Sequence, residues 1–168
     1  TANITDTIKT SSYYNYVGGI VGYMSPSGSK IIACIKTSGS VKESNTGSLT
    51  AVGGIAGFMP DGNNAYQITA CYSSASVSAR MPGMILGNCL FMSASGNPNI
   101  SDCFYTKPAG TDLNVKGIGT DNYGGSWYGY DKGTTKVSDI EEAIATMNSS
   151  IEAWNVANPE YVCNYKYA

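Results

Sequence analysis

Five cysteines, a scatter of aspartates and a complete lack of histidine bound the chemistry open to this 168-residue chain. A zinc-peptidase centre of the H-E-x-x-H kind needs imidazole ligands, and Ser–His or Cys–His nucleophile pairs need an imidazole base. Neither can be assembled here. Polysaccharide-cleaving sites use two carboxylates, or carboxylates with calcium and a basic residue. The acids available for such a site are Asp61, Asp102, Asp112, Asp121 and Asp131, with Arg80 as the only arginine. Asp61 sits in a Pro60-Asp61-Gly62 turn, where its carboxylate is suited to local hydrogen bonding. Asp102 has no acidic mate at the matching places, Ala33 and Ala70. No catalytic residue, no metal ligand and no cofactor is assigned.

Cys34, Cys71 and Cys103 share one position of a repeat, 37 and then 32 residues apart. A column of small buried thiols accounts best for them, because free cysteine is among the most buried residue types. Disulfides between neighbours in the column and a thiolate metal site are the alternatives. Cys89 and Cys163 stand outside the series, and five cysteines cannot all pair within one chain. The binding candidates are aromatic. Tyr123, Trp127, Tyr128 and Tyr130 lie among glycines, where their faces could stack on a sugar or anchor a protein partner. The competing role is to cover an open end of the fold. Tyr13, Tyr14 and Tyr16 form a second cluster of the same kind.

These residues hang on a repeat. Val17-Gly18-Gly19-Ile20-Val21-Gly22-Tyr23-Met24 returns 35 residues later as Val52-Gly53-Gly54-Ile55-Ala56-Gly57-Phe58-Met59. Each copy leads through a turn to an apolar strand, around 30–36 and 67–73, that carries its cysteine, and then to a shorter strand near 40–42 or 75–78. A third, degenerate copy sets Gly83-Met84-Ile85-Leu86-Gly87 against Gly53-Gly54-Ile55-Ala56-Gly57, and Ile100-Ser101-Asp102-Cys103-Phe104 against Ile68-Thr69-Ala70-Cys71-Tyr72. Three short strands per copy at this period predict a parallel β-helix, a mostly β solenoid of about three coils. Recurrence of Gly18, Gly19 and Gly22 as Gly53, Gly54 and Gly57 points to a corner or a close backbone approach, since glycine inside a strand otherwise costs packing. A phosphate-cradling loop is disfavoured, because no Lys-Ser/Thr and no helical pattern follows either run.

Composition agrees with stacking. Charged residues make up 13% of the chain, and between Ser44 and Ser101 only Asp61 and Arg80 occur. Equivalent side chains on stacked strands stand about 4.8 Å apart, where like charges repel and hydroxyls or amides can hydrogen-bond. A net charge of −2 offers no basic field for nucleic acid. No apolar run is long enough to span a membrane. The first residues lack a signal-peptide pattern, and residues 4–11 read as the end of an earlier coil, so the chain is expected to start with a partial coil or to be part of a longer array.

One domain is expected. Residues 1–106 form the solenoid, as a partial coil at about 1–16 and coils at 17–51, 52–81 and 82–106. Residues 107–168 form an irregular aromatic-rich stretch with a helix at about 139–148 and a C-terminal cap. Ser138 with Glu141 reads as a capping box, and Ile140, Ile144 and Met147 as an apolar stripe that can continue through Ile151 and Trp154. Residues 161–167 read as a final strand, and the helix as the cover of the last coil.

At residues 17–22 and 52–57, and at Cys71-Tyr72 and Cys103-Phe104, the chain resembles the GLUG-motif repeat family of bacterial secreted and surface proteins. Cys34-Ile35 departs from the pattern by lacking the aromatic residue. The resemblance covers residues 17–105, and the closing segment around Asn148, Trp154 and the final aromatic residues is similar to the family's usual ending. It implies a structural repeat with no catalytic residue to carry over, in a secreted or cell-surface adhesin-like protein that displays itself toward a host protein or glycan. The alternative it implies is an accessory, non-catalytic region of a large secreted hydrolase such as an immunoglobulin A peptidase.

Overall fold

The computed structural model describes residues 2–7, 14–25, 28–44, 49–60, 66–89, 99–112, 114–119 and 129–168, with the backbone alone at Tyr14 and Leu49. The period of the sequence reappears as a period of strands. After β1 (Ile4–Asp6) come β2 (Tyr14–Gly18), β3 (Val21–Tyr23), β4 (Lys30–Ile32), β5 (Ile35–Lys36) and β6 (Ser40–Glu43). The same five follow as β7 (Leu49–Gly53), β8 (Ala56–Met59), β9 (Gln67–Thr69), β10 (Tyr72–Ser73) and β11 (Ser76–Ser78). Next are β12 (Met81–Cys89), β13 (Ile100–Ser101) and β14 (Cys103–Tyr105), then β15 (Lys116–Ile118), β16 (Thr134–Lys136) and the helix α1 (Glu141–Ala157).

Every strand lies beside its equivalents in the neighbouring repeats, and every pairing between named strands is parallel. Four parallel sheets result: β1-β6-β11, β4-β9-β13, β5-β10-β14-β16, and β2-β7-β12-β8-β3 with β15 added to β12. The registers follow the sequence alignment, with Val17 on Val52, Val52 on Pro82, Ile31 on Ile68 and Ile68 on Ile100. The protein is therefore mostly β, in parallel sheets, with one helix among the described residues.

Three expectations are corrected here. A full repeat carries five short strands, because the glycine motif at 17–24 and 52–59 is split in two, and the segments read as single strands at 30–36 and 67–73 are each broken as well. At the break Ala33, Ala70 and Asp102 adopt φ of 55°, 52° and 49°, a left-handed bend that turns the chain from one sheet to the next. Such a conformation costs an L-residue about 1–2 kcal/mol, and it recurs at one repeat position because the sheets on either side impose it. Second, the repeat does not end at Tyr105: Lys116–Ile118 pairs with β12, and Thr134–Lys136 pairs with β14. Third, residues 161–167 form no strand.

The glycines sit where backbones meet. A Cβ on Gly53 would overlap the Ala56 carbonyl oxygen of its own repeat, and one on Gly87 would lie 2.6 Å from both the Gly57 carbonyl oxygen and the Val52 nitrogen. The two halves of the motif thus pass each other backbone to backbone. Gly19 faces the Gly54 carbonyl and Gly54 faces the Met84 carbonyl, so this glycine is demanded by the repeat that follows it.

Two apolar clusters hold the fold. One lies between the sheets and includes Val52, Ile55, Ile68, Cys71, Ile85, Leu86, Cys103 and Ile118. In the other, Ala70, Tyr72, Phe104 and Val137 meet Ala143, Met147, Ile151 and Tyr167. The second cluster fixes the helix on the flank of the sheets, not over their end. Ser150 Oγ donates to Asp102 Oδ2 (2.6 Å), Trp154 Nε1 to Gln67 Oε1 (3.3 Å), and Lys30 Nζ to Asn158 Oδ1 (3.1 Å). Eight residues of helix rise about 12 Å, enough to cross from the third repeat to the first over two strand spacings of about 4.8 Å each.

The helix runs from 141 to 157 instead of 139–148, because its buried stripe of Ala143, Met147, Ile151 and Trp154 continues to the last turn. Its start lies two residues beyond the one expected from the capping box, with Ile140 instead of Ser138 at the N-cap. The Glu142 N–H donates to Asp139 Oδ1 at 3.4 Å, while Ser138 Oγ bonds the Glu142 carboxylate. Beyond the helix, side-chain amides take the place of a strand partner for the tail. Asn155 accepts from the Cys163 N–H (2.7 Å) and donates to the Cys163 carbonyl (2.9 Å), and Asn148 does the same for Tyr167 (2.8 and 2.9 Å).

Candidate functional site

The cysteine column comes first, because it combines reactive side chains at fixed spacing. Cys34, Cys71 and Cys103 follow the left-handed bends and point their thiols toward the core; all three are free. The Cys71 thiol donates toward the Thr69 carbonyl (3.3 Å), and the Cys103 thiol toward that of Ser101 (3.3 Å). The thiol of Cys34 is pushed far up from its ordinary range, chiefly by its hydrogen bond with Cys71 and then by burial. Cys71 is pushed up as well, chiefly by Cys103. Thiols held protonated, as at Cys34 and Cys71, are poor nucleophiles and poor metal ligands, and all three cysteines pack in or against the core cluster.

The acids are dispersed among structural tasks. Asp102 holds the helix through Ser150, and Asp112 accepts from the Asn114 N–H (2.8 Å). Asp131 accepts from the Tyr105 hydroxyl (2.8 Å) and the Gly117 N–H (3.0 Å) and pairs with Lys116 (3.4 Å), joining β14 to β15. Burial, followed by Asp131, pushes the Tyr105 phenol up. Arg80 is exposed in the bend between β11 and β12. Asp61 and Asp121 lie outside the described residues. Among the described residues, no three His, Cys, Asp or Glu side chains gather in a metal-holding group.

Of the expected aromatic surface, Tyr123, Trp127 and Tyr128 lie outside the described residues, as does Tyr13. Tyr130 is placed: it is exposed and bridges Ile118 through two backbone hydrogen bonds of 2.9 Å. A different aromatic group emerges from the repeat itself. Tyr16 stacks on Phe58 at 4.2 Å between ring centroids, Tyr23 stacks on Phe58 at 5.5 Å, and Tyr16 meets Tyr23 at 5.6 Å. β2 and β3 each deliver one tyrosine from the first repeat, and β8 delivers the phenylalanine from the second. Phe58 is buried beneath the pair, whereas Tyr23 remains 46% exposed.

The stack was missed in the sequence although a signal for it was present. Tyr23 and Phe58 hold the same repeat position, so parallel stacking had to bring them together. Chemically the surface is a set of π faces, suited to sugar faces, aliphatic chains or a protein hot spot. Compared with protein-family models, curated proteins and solved structures, the chain matches none.

Proposed function

We propose that this chain is a non-enzymatic structural and binding module, built as a parallel β-solenoid of GLUG-like repeats and displayed by a secreted or cell-surface bacterial protein. In this reading each parallel sheet is one wall of the solenoid and each repeat is one coil. The in-register pairing of equivalent residues across three repeats supports it, as does the scarcity of charge along the stack. The binding role is carried by one observation, the stack of Tyr16, Phe58 and Tyr23 with its half-exposed outer ring. Its ligand is a glycan or a host protein bound through ring stacking.

The test is a screen of the purified chain against a glycan array and a panel of host surface and secreted proteins, repeated with Tyr23→Ala. A hit weakened at least tenfold in the variant, with melting unchanged, is the expected result. Hits that are indifferent to Tyr23, or no hit on either panel, would refute a binding role for the stack.

A further inference from the structure

A second surface with binding chemistry lies around β14, β15 and β16, and it does not depend on the Tyr16–Phe58–Tyr23 stack. Lys136, at the end of β16, stands in parallel register with Tyr105 of β14, and Lys107 follows Tyr105 by two residues. The Tyr105 hydroxyl donates to Asp131 Oδ1 (2.8 Å), and the other oxygen of that carboxylate pairs with Lys116 of β15 (3.4 Å). Three lysines from separate segments are thereby gathered about one buried tyrosine.

Two carboxylates act on this group, and both carry structural tasks. Asp131 is shared among Tyr105, Gly117 and Lys116, and Asp112 accepts from the Asn114 N–H. Burial lowers the Lys107 ammonium from its ordinary range, and the charges of Lys136 and Lys116 push it further down, against the opposing pull of Asp131 and Asp112. Lys136 is exposed, and its ammonium makes no hydrogen bond or ion pair with another described residue. Elsewhere the chain is sparing with charge, since between Ser44 and Ser101 only Asp61 and Arg80 occur. A gathering of like charges in such a chain is relieved by an anion placed among them.

An aromatic face adjoins the cations. Tyr130 is 44% exposed and is held to Ile118, two residues along β15 from Lys116, by a pair of backbone hydrogen bonds. A Cβ on Gly129 would lie 2.5 Å from Lys116 Cβ and Cγ, so the stem of Lys116 runs across the residue next to Tyr130. The residue types narrow the class of anion. Lysine is a compact, hydrated point charge that accepts carboxylate or sulfate in many orientations, whereas planar bidentate capture of phosphate favours arginine. The only arginine, Arg80, lies between β11 and β12. A net charge of −2 opposes long contact with nucleic acid, and a tyrosine ring offers its face to a sugar.

We infer that Lys107, Lys116, Lys136 and Tyr130 form a binding site for an acidic glycan, a sugar chain that carries carboxylate or sulfate groups. The ammonium groups take the anionic substituents, and the Tyr130 ring stacks on a sugar face.

The experiment measures binding of the full chain to polygalacturonate, dextran sulfate and neutral dextran by calorimetry at low salt. Saturable binding to at least one polyanion is expected, with none to neutral dextran, and the tighter of the two identifies the anionic group. Lys136→Gln should weaken it at least fivefold and Tyr130→Ala at least threefold, both with unchanged melting because both side chains are exposed. Lys42→Gln, which removes an exposed lysine of β6, should leave it unchanged. Failure to bind either polyanion overturns the inference, as does binding that Lys136→Gln leaves intact. An equal loss in Lys42→Gln, or equal affinity for duplex DNA with no loss in Tyr130→Ala, would reveal indiscriminate attraction of polyanions and overturns it too.

Discussion

Residues 17–24 and residues 52–59 are nearly the same motif in two situations. In the second copy every residue is buried, between β2 and β3 on one side and β12 on the other. In the first copy only Met24 is buried, and Ile20 and Tyr23 are about half exposed. Residue type is matched and neighbours are not. The difference measures what one stacked repeat contributes, and shows that burial here depends on a residue's place in the array more than on its hydrophobicity.

The glycines give the largest contrast. Gly54→Val should abolish cooperative melting or drive the chain into aggregates, since the new side chain meets the Met84 carbonyl and Ser73 with fixed strands on both sides. Gly19→Val meets the Gly54 carbonyl, but its strand is at the edge and can move outward, so a folded protein with a lowered melting temperature is expected. Equal damage at the two sites would show that the first repeat is held as firmly as the second.

Ile55→Ala and Ile20→Ala provide a gentler comparison. Removing a fully buried isoleucine side chain costs about 2–5 kcal/mol, whereas the half-exposed Ile20 should cost under about 1.5 kcal/mol. Urea unfolding of both variants reads the gap. Matching values would mean that Ile20 is covered in solution.

Smallest is the effect of alkali on the cysteines of the two repeats. Cys71 is fully buried and Cys34 only partly, and both thiols are raised in the folded chain. Unfolded thiols ionise above about pH 8.5. Their stabilising contribution is therefore complete below that pH and falls as pH rises above it. Stability measured between pH 8 and 10 should fall less steeply in Cys71→Ala than in the parent, with a weaker flattening in Cys34→Ala. Parallel profiles for all three proteins would contradict a raised thiol at Cys71.

Much of the stacking was readable in the residues. Parallel strands of equal repeats must align equivalent positions, so the match of Val17 to Val52 and of Cys71 to Cys103 anticipated the observed neighbours. The fourth layer escaped because Lys116-Gly117-Ile118-Gly119 keeps only a remnant of the motif. Its trace was Gly119, whose Cβ would strike the Gly87 carbonyl just as one on Gly87 would meet that of Gly57. The candidate site was half legible: Tyr16 was visible as part of a tyrosine cluster, but its partners Tyr23 and Phe58 required the register to be followed into space.

The order of residues was sufficient for the repeat, for the glycine and cysteine columns, and for the exclusion of histidine-based chemistry, because each follows from residue type and spacing alone. Folding in three dimensions settled the rest. The left-handed bends at Ala33, Ala70 and Asp102 arise where two sheets meet. The helix lies along the flank because Ala143, Met147 and Ile151 find Tyr72 and Phe104 there. Which of two like motifs is core and which is surface depends on what lies beside it, and a local pattern carries no record of that.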